Sequence, residues 1–136
     1  MSFSGEPFEI VREVPLSPDE VFSRLTGWKR HGDVVPFTTV RLTETGFVAR
    51  TALGPVGFDD PMDVVEWDPP RFCRLEKRGR VVRGWAEISV RPAESGSTVV
   101  WRELAHVTGV PRILAGAEKA VGSALFSRLL DGLTRT

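Results

Sequence analysis

The stretch Gly79-Arg80-Val81-Val82-Arg83-Gly84-Trp85-Ala86-Glu87-Ile88-Ser89-Val90-Arg91-Pro92-Ala93-Glu94-Ser95-Gly96-Ser97-Thr98-Val99-Val100-Trp101-Arg102-Glu103 decides how this chain folds. It holds two long runs rich in β-branched and aromatic residues, each with a tryptophan inside it, split by a turn of proline, serine and glycine. Beyond these runs the strand signals stop, and residues 111–133 form one long amphipathic segment. A meander of strands closed by a single terminal helix predicts a hollow half-barrel plugged by that helix. Such a space suits a small apolar molecule.

Working back toward the N-terminus, residues 8–14 read as a first strand. Ser17-Pro18-Asp19-Glu20 then sets a capping serine, a proline at the first helical position and a glutamate three residues after the cap. Val21, Phe22 and Leu25 supply an apolar stripe, Gly27 can end the helix, and Trp28 to His31 add a further turn. Strands are expected at 38–43 and 47–52, joined by Glu44-Thr45-Gly46, and at 62–67, closed by Asp68-Pro69-Pro70. A second hairpin is expected from 72–77 and 81–90 around Arg78-Gly79, and a last strand at 98–104. The total is six or seven strands, antiparallel because most links are too short for a crossover. Residues 53–58 form a glycine- and proline-rich loop whose Leu53, Val56 and Phe58 suit either an apolar lid or an anchored connection.

On the terminal helix, Leu114, Ala117, Val121, Ala124, Leu125 and Arg128 recur on one side. The small residues Ala117, Ala120 and Ala124 either let the helix sit close to the sheet or leave a gap there. Spacing alone does not separate the two.

The chain has 136 residues, enough for one domain spanning 1–136 with a core and an internal cavity. Eighteen basic residues balance 18 acidic ones, so no overall field draws it toward nucleic acid or an anionic membrane. Cys73 is the only cysteine, which rules out an internal disulfide or a thiolate metal cluster. The N-terminus lacks an export pattern and no apolar run is long enough to span a bilayer, so a cytoplasmic protein is expected.

The order of strand, short helices, antiparallel strands and long C-terminal helix resembles the helix-grip fold of the START-like superfamily. Within it the chain is similar to the bacterial polyketide cyclase/dehydrase (SRPBCC) branch. Three passages carry the likeness: Val14-Pro15-Leu16-Ser17-Pro18-Asp19-Glu20-Val21-Phe22, Trp67-Asp68-Pro69-Pro70-Arg71, and Gly84-Trp85-Ala86-Glu87 followed by Gly96-Ser97-Thr98-Val99-Val100-Trp101. The resemblance implies an α+β fold: a curved antiparallel sheet of six or seven strands wrapped around a long C-terminal helix, with short helices after the first strand. It implies a START-like ligand-binding domain with a cavity between sheet and helix. Its motifs are structural and include no catalytic signature, and the superfamily spans many activities.

Cys73 lies inside a strand with no nucleophile motif and reads as a core residue; His31 falls in a polar loop and reads as solvated. His106 follows the last strand near the expected cavity mouth, where it could handle a proton. Asp59, Asp60 and Asp63 cluster without calcium-loop spacing, so no metal is expected. Arg71, Arg74, Lys77, Arg78, Arg80 and Arg83 gather around one hairpin and read as a solvated tip rather than a nucleic-acid surface.

Alternation divides that hairpin into two faces. Phe72, Arg74, Glu76, Val81, Arg83, Trp85 and Glu87 share one; Cys73, Leu75, Val82, Gly84, Ala86, Ile88 and Val90 share the other. Either the apolar face is buried and the charged one is wet, or Trp85, Arg83 and Glu87 turn toward the cavity. Glu103 with Arg102 or Arg128 would then supply charge partners.

The expected lining is Phe58, Met62, Trp85, Trp101, Leu114, Ala117, Val121 and Leu125. The leading expectation is binding or carriage of a small hydrophobic molecule: a lipid, polyketide, isoprenoid or aromatic compound. The alternative is a polyketide cyclase or aromatase using Arg83, Glu87, Glu103 and His106 as acid–base groups. A third reading is an interaction module acting through the basic hairpin. No cofactor and no nucleic-acid partner is expected, and a homodimer is left open.

Overall fold

The computed structural model describes residues 7–109 and 115–134. Strand β1 (Phe8–Val14) leads into helix α1 (Pro18–Leu25) and helix α2 (Trp28–Val34). Strands β2 (Thr38–Leu42), β3 (Gly46–Leu53), β4 (Val56–Asp68), β5 (Phe72–Arg78), β6 (Val82–Ala93) and β7 (Gly96–Val107) follow, and helix α3 (Ala115–Leu133) closes the chain. The strands make one antiparallel seven-stranded sheet in the order β1-β7-β6-β5-β4-β3-β2. This curled sheet with its C-terminal helix is the expected helix-grip arrangement. No described helix is long and apolar enough to cross a membrane.

The α1 start is built as its residues dictate. The Ser17 hydroxyl accepts the Glu20 backbone N–H at 3.2 Å with Pro18 in the first turn, and Val21, Phe22 and Leu25 are buried. Glu20 closes the turn differently from a reciprocal capping box: its side chain accepts from Arg24 at 2.9 Å.

The sheet buries one face. Phe8 and Ile10 on β1, Val99 and Trp101 on β7, Ala86 and Ile88 on β6, Cys73 and Leu75 on β5, and Phe47 on β3 form its core. Each fully buried aliphatic or aromatic side chain contributes about 1.5–3 kcal/mol. A bulge between Val64 and Glu66 shifts the β4 register, and Trp67 beyond it packs on Phe22, with ring centroids 5.3 Å apart.

Two expectations about strand ends are corrected. Residues 53–58 are not a loop: Leu53 pairs with Val56, so β3 and β4 run almost to the tip and only Gly54 and Pro55 turn the chain. Gly54 takes φ +61, which glycine adopts at no steric cost. β4 therefore begins at Val56 rather than at the expected 62 and takes in Asp59, Asp60 and Asp63.

How α3 docks decides what the sheet encloses. Leu129, Leu130 and Leu133 are fully buried, and Gly132 approaches Val34 of α2 so closely that an added Cβ would lie 2.8 Å from a valine methyl. Arg12 of β1 ties the same end of the helix to the sheet edge through Asp131 at 3.0 Å and through the Ser127 hydroxyl. Phe126 still packs on Phe8 and Trp101, but Ala120, Val121, Ala124 and Leu125 are exposed. The helix is clamped by its C-terminal half and stands off the sheet before it.

Candidate functional site

The stand-off leaves a cavity of about 470 Å³ between α3, α2 and the concave face of the sheet. That volume falls within the range of small-molecule pockets, about 300–1,000 Å³. Val40, Phe47, Ala49, Phe58 and Met62 line it from β2, β3 and β4; Ala105 and Val107 line it from β7; Val121, Leu125, Phe126 and Leu129 line it from α3. Val107, Val121 and Leu125 are also exposed, so they mark where the cavity meets solvent.

Set in this apolar wall are four titratable side chains: His31, Asp60, Lys77 and Glu103. Lys77 and Glu103 stand on β5 and β7, with β6 between them. Lys77 pairs with Gly84, Glu103 pairs with Ala86, and these small residues leave the floor clear. Glycine at 84 is obligatory: its φ is +145, and an added Cβ would sit 1.7 Å from the Leu104 carbonyl oxygen.

The Lys77 ammonium donates to Asp60 Oδ2 at 3.0 Å, makes a weak contact with Met62 Sδ at 3.5 Å and lies 3.9 Å from Glu103 Oε2. Its side chain is 2% exposed and that of Glu103 is 1% exposed, which places a cation and a carboxylate almost wholly out of water. Trp101 Nε1–H donates to Glu103 Oε1 at 3.1 Å. Asp60 Oδ1 and Glu103 Oε2 are buried and have no hydrogen-bond partner among the described residues.

The charge states follow. Burial disfavours the Glu103 carboxylate, Lys77 and Trp101 offset only part of this, and nearby Asp60 adds to it; the Glu103 pKa rises to about 7. Burial opposes the Lys77 charge too, but the attraction of Glu103 and Asp60 prevails and its pKa lies above the ordinary value, so it stays an ammonium. His31 Nε2–H donates to the Leu25 carbonyl at 2.8 Å. Burial lowers its pKa against that hydrogen bond, with Lys77 pushing the same way, so the ring is neutral at pH 7.

The structure sorts the expected residues. Phe58, Met62, Val121, Leu125 and Glu103 come together around the cavity. Trp101 is buried beside it, packing on His31 and Phe126 with centroids 6.3 and 5.4 Å away, but does not line it. Trp85, Arg83 and Glu87 are directed away from it, because pairing of Ala86 with Leu75 and with Glu103 puts Ala86 inside and its neighbours outside. There Trp85 lies under the Arg74 guanidinium at 4.8 Å, and Glu87 accepts from Arg74 at 2.6 Å. His106 pairs with Arg83 on this outer face and does not line the cavity. Leu114 and the Ala117 side chain lie outside the described residues.

The apolar tip residues Leu53 and Val56 are 69% and 74% exposed, so they cover nothing. Asp59, Asp60 and Asp63 each meet a different cation, Arg50, Lys77 and Arg78.

Sequence reasoning missed His31, Asp60 and Lys77. For Lys77 the signal was present: it follows Cys73 and Leu75 at every second residue, a charge at a core-facing position. Reading it with the arginines around it hid that parity. His31 had no such signal, since only the packing of Trp28, Phe47 and Trp101 around it removes it from solvent. Cys73 is the inert core thiol expected, its pKa pushed up to about 12 by burial.

The family model described as polyketide cyclase / dehydrase and lipid transport matches residues 7–136. No curated protein matches significantly. Among solved structures the chain is similar to the protein XoxI from Bacillus cereus, with 19% identity, 96% of this chain and 94% of that one covered, and a TM-score of 0.73. It is similar to the di-domain ARO/CYC StfQ from the steffimycin biosynthetic pathway, with 14% identity, 94% of this chain but 49% of that one covered, and a TM-score of 0.76. It is also similar to Ara h 8.0201, with 12% identity, 96% and 98% covered, and a TM-score of 0.70. At such identities the likeness shows the fold alone.

Proposed function

This chain belongs to the polyketide cyclase/dehydrase and lipid transport family, and on that premise we propose that it binds and carries a small, largely apolar molecule in the cavity beneath α3. The family supports hydrophobic-ligand binding in general. One observation carries the reading to this chain: among the described residues the helix is clamped by its C-terminal half, which leaves about 470 Å³ walled by Phe47, Phe58, Met62, Leu125, Phe126 and Leu129. Burial of apolar ligand surface supplies the affinity, at about 25 cal/mol per Å² before the cost of association.

Cavity filling tests it. The neutral fluorophore N-phenyl-1-naphthylamine should bind saturably to the wild type. Ala105→Trp places a large ring in the cavity and should weaken that binding at least tenfold while the unfolding midpoint holds. No saturable binding to the wild type rejects the proposal.

A cyclase reading has one specific support, the charged cluster within an apolar chamber. Arg83, Glu87 and His106 do not line the chamber, so acid–base work on a poly-β-ketone would fall to Glu103, with Lys77 donating to a developing oxyanion. Glu103→Gln would then abolish turnover of such a substrate. Full turnover by that variant removes the reading.

A further inference from the structure

We propose that the Asp60–Lys77–Glu103 cluster is a hydroxyl anchor: it selects apolar guests with a neutral hydroxyl, phenol or enol head and rejects those ending in a carboxylate. The inference rests on the cavity being a ligand site, and adds which head group that site accepts.

Hydrogen-bond capacity on the cavity wall gives the reason. An ammonium has three N–H donors. Asp60 takes one of Lys77's donors, the Met62 thioether takes a second weakly, and the third has no partner within hydrogen-bond reach among the described residues. The 3.9 Å between Lys77 Nζ and Glu103 Oε2 exceeds the hydrogen-bond range. A hydroxyl oxygen beside that gap, about 2.8 Å from each atom, accepts from Lys77 and donates to Glu103. One small neutral group thereby satisfies both a spare donor and an orphaned acceptor. An ether or ketone can only accept, and beside the ionised Glu103 it leaves Oε2 unpaired. A site built to hydrogen-bond a hydroxyl discriminates strongly against analogues lacking it, because its own polar atoms are otherwise stranded.

Charge supplies the second half. Lys77 contributes one positive charge, Asp60 one negative and Glu103 up to one more, so the cluster is neutral or anionic. A carboxylate brought here meets two acids for one ammonium, in surroundings that screen little. Arg12, the cationic side chain on the neighbouring strand β1, is committed to Asp131 and Ser127. His31 is neutral and its Nε2–H is held by Leu25. Neither offsets the repulsion.

Three probes with one ring system test the assignment: 2-naphthol, naphthalene and 2-naphthoate, titrated calorimetrically into the wild type at pH 8. The expected order is 2-naphthol tightest, at least tenfold ahead of naphthalene, with 2-naphthoate weakest. In the near-isosteric double variant Asp60→Asn/Glu103→Gln, Lys77 is the remaining charge of the cluster, and the order should invert so that 2-naphthoate leads. Any wild-type ranking in which 2-naphthol does not lead overturns the anchor, including no detectable 2-naphthol binding while N-phenyl-1-naphthylamine binds. If N-phenyl-1-naphthylamine also fails, the cavity reading itself falls. The wild-type ranking decides the matter even should the double variant not fold.

Discussion

Two clusters built from the same kinds of residue, in inverse proportion, lie back to back on this sheet. Outside, Arg74, Glu87 and Arg102 gather around Trp85; inside, Lys77, Asp60 and Glu103 gather beside Trp101. The outer one sets two cations on one carboxylate and the inner one sets one cation on two, each beside an indole, and both draw on strands β5 and β7. One pleat separates them. Outside, Arg74 and Glu87 keep 26% and 20% of their side-chain surface, so water screens the pair. Inside, Lys77 and Glu103 keep almost none, water screens them little, and two carboxylate oxygens have no hydrogen-bond partner among the described residues. Composition does not distinguish a surface ladder from a candidate binding site; the side of the sheet does.

The sharpest break of this comparison is to remove one cation from each cluster. Lys77→Met leaves two buried carboxylates facing each other. Removing one partner of a buried pair costs about 3–5 kcal/mol, which urea unfolding at pH 8 would register. Arg74→Met removes the matching outer cation and should cost about 1 kcal/mol or less. Equal losses would show that the inner cluster is wetter than its burial implies.

The pH dependence separates the clusters next. The folded-state pKa of Glu103 is raised to about 7 from 4.5, so the fold holds a proton that the unfolded chain releases. Its stabilising contribution is complete below about pH 4.5 and lost as pH rises to about 7, with a slope of at most about 1.4 kcal/mol per unit. His31 has the opposite sign: its folded pKa lies below 6.5, so its contribution is present above that value and lost on acidification. Unfolding free energies of Glu103→Gln should therefore gain on the wild type between pH 5 and pH 8. A constant gap would mean that Glu103 titrates as it does in water.

The smallest effect belongs to the outer indole. Trp85→Phe should cost about 1 kcal/mol or less and leave N-phenyl-1-naphthylamine affinity unchanged. A weakened probe would bring Trp85 back to the cavity.

Most of the framework was legible. The β1 bounds, the Ser17 cap and the two faces of the β5–β6 hairpin follow from local rules, since capping and period-two alternation need only neighbours along the chain. The hairpin illustrates how robust parity is. Its turn centres near Arg80-Val81 rather than Arg78-Gly79, yet the pairing sum moves by an even number and every side chain keeps its face. Legibility failed where the deciding contacts lie far apart in sequence. Lys77 looked like part of a basic tip because its partners come from β4 and β7, 17 and 26 positions away. For residues 53–58 a lid and an anchored connection both stayed open, because exposure of Leu53 and Val56 is not a local property.

By itself, then, the sequence determined six or seven antiparallel strands, the order of elements, the Ser17 cap and which side chains share a face, because each arises from steric and hydrogen-bonding preferences within a few residues. Tertiary structure alone decided which of the two faces is concave, that Leu129, Leu130 and Leu133 of α3 are buried while Val121 and Leu125 are exposed, and that Lys77 meets Glu103 across the small residues of β6. Those outcomes depend on how three packed elements divide one volume, and no window of sequence contains that volume.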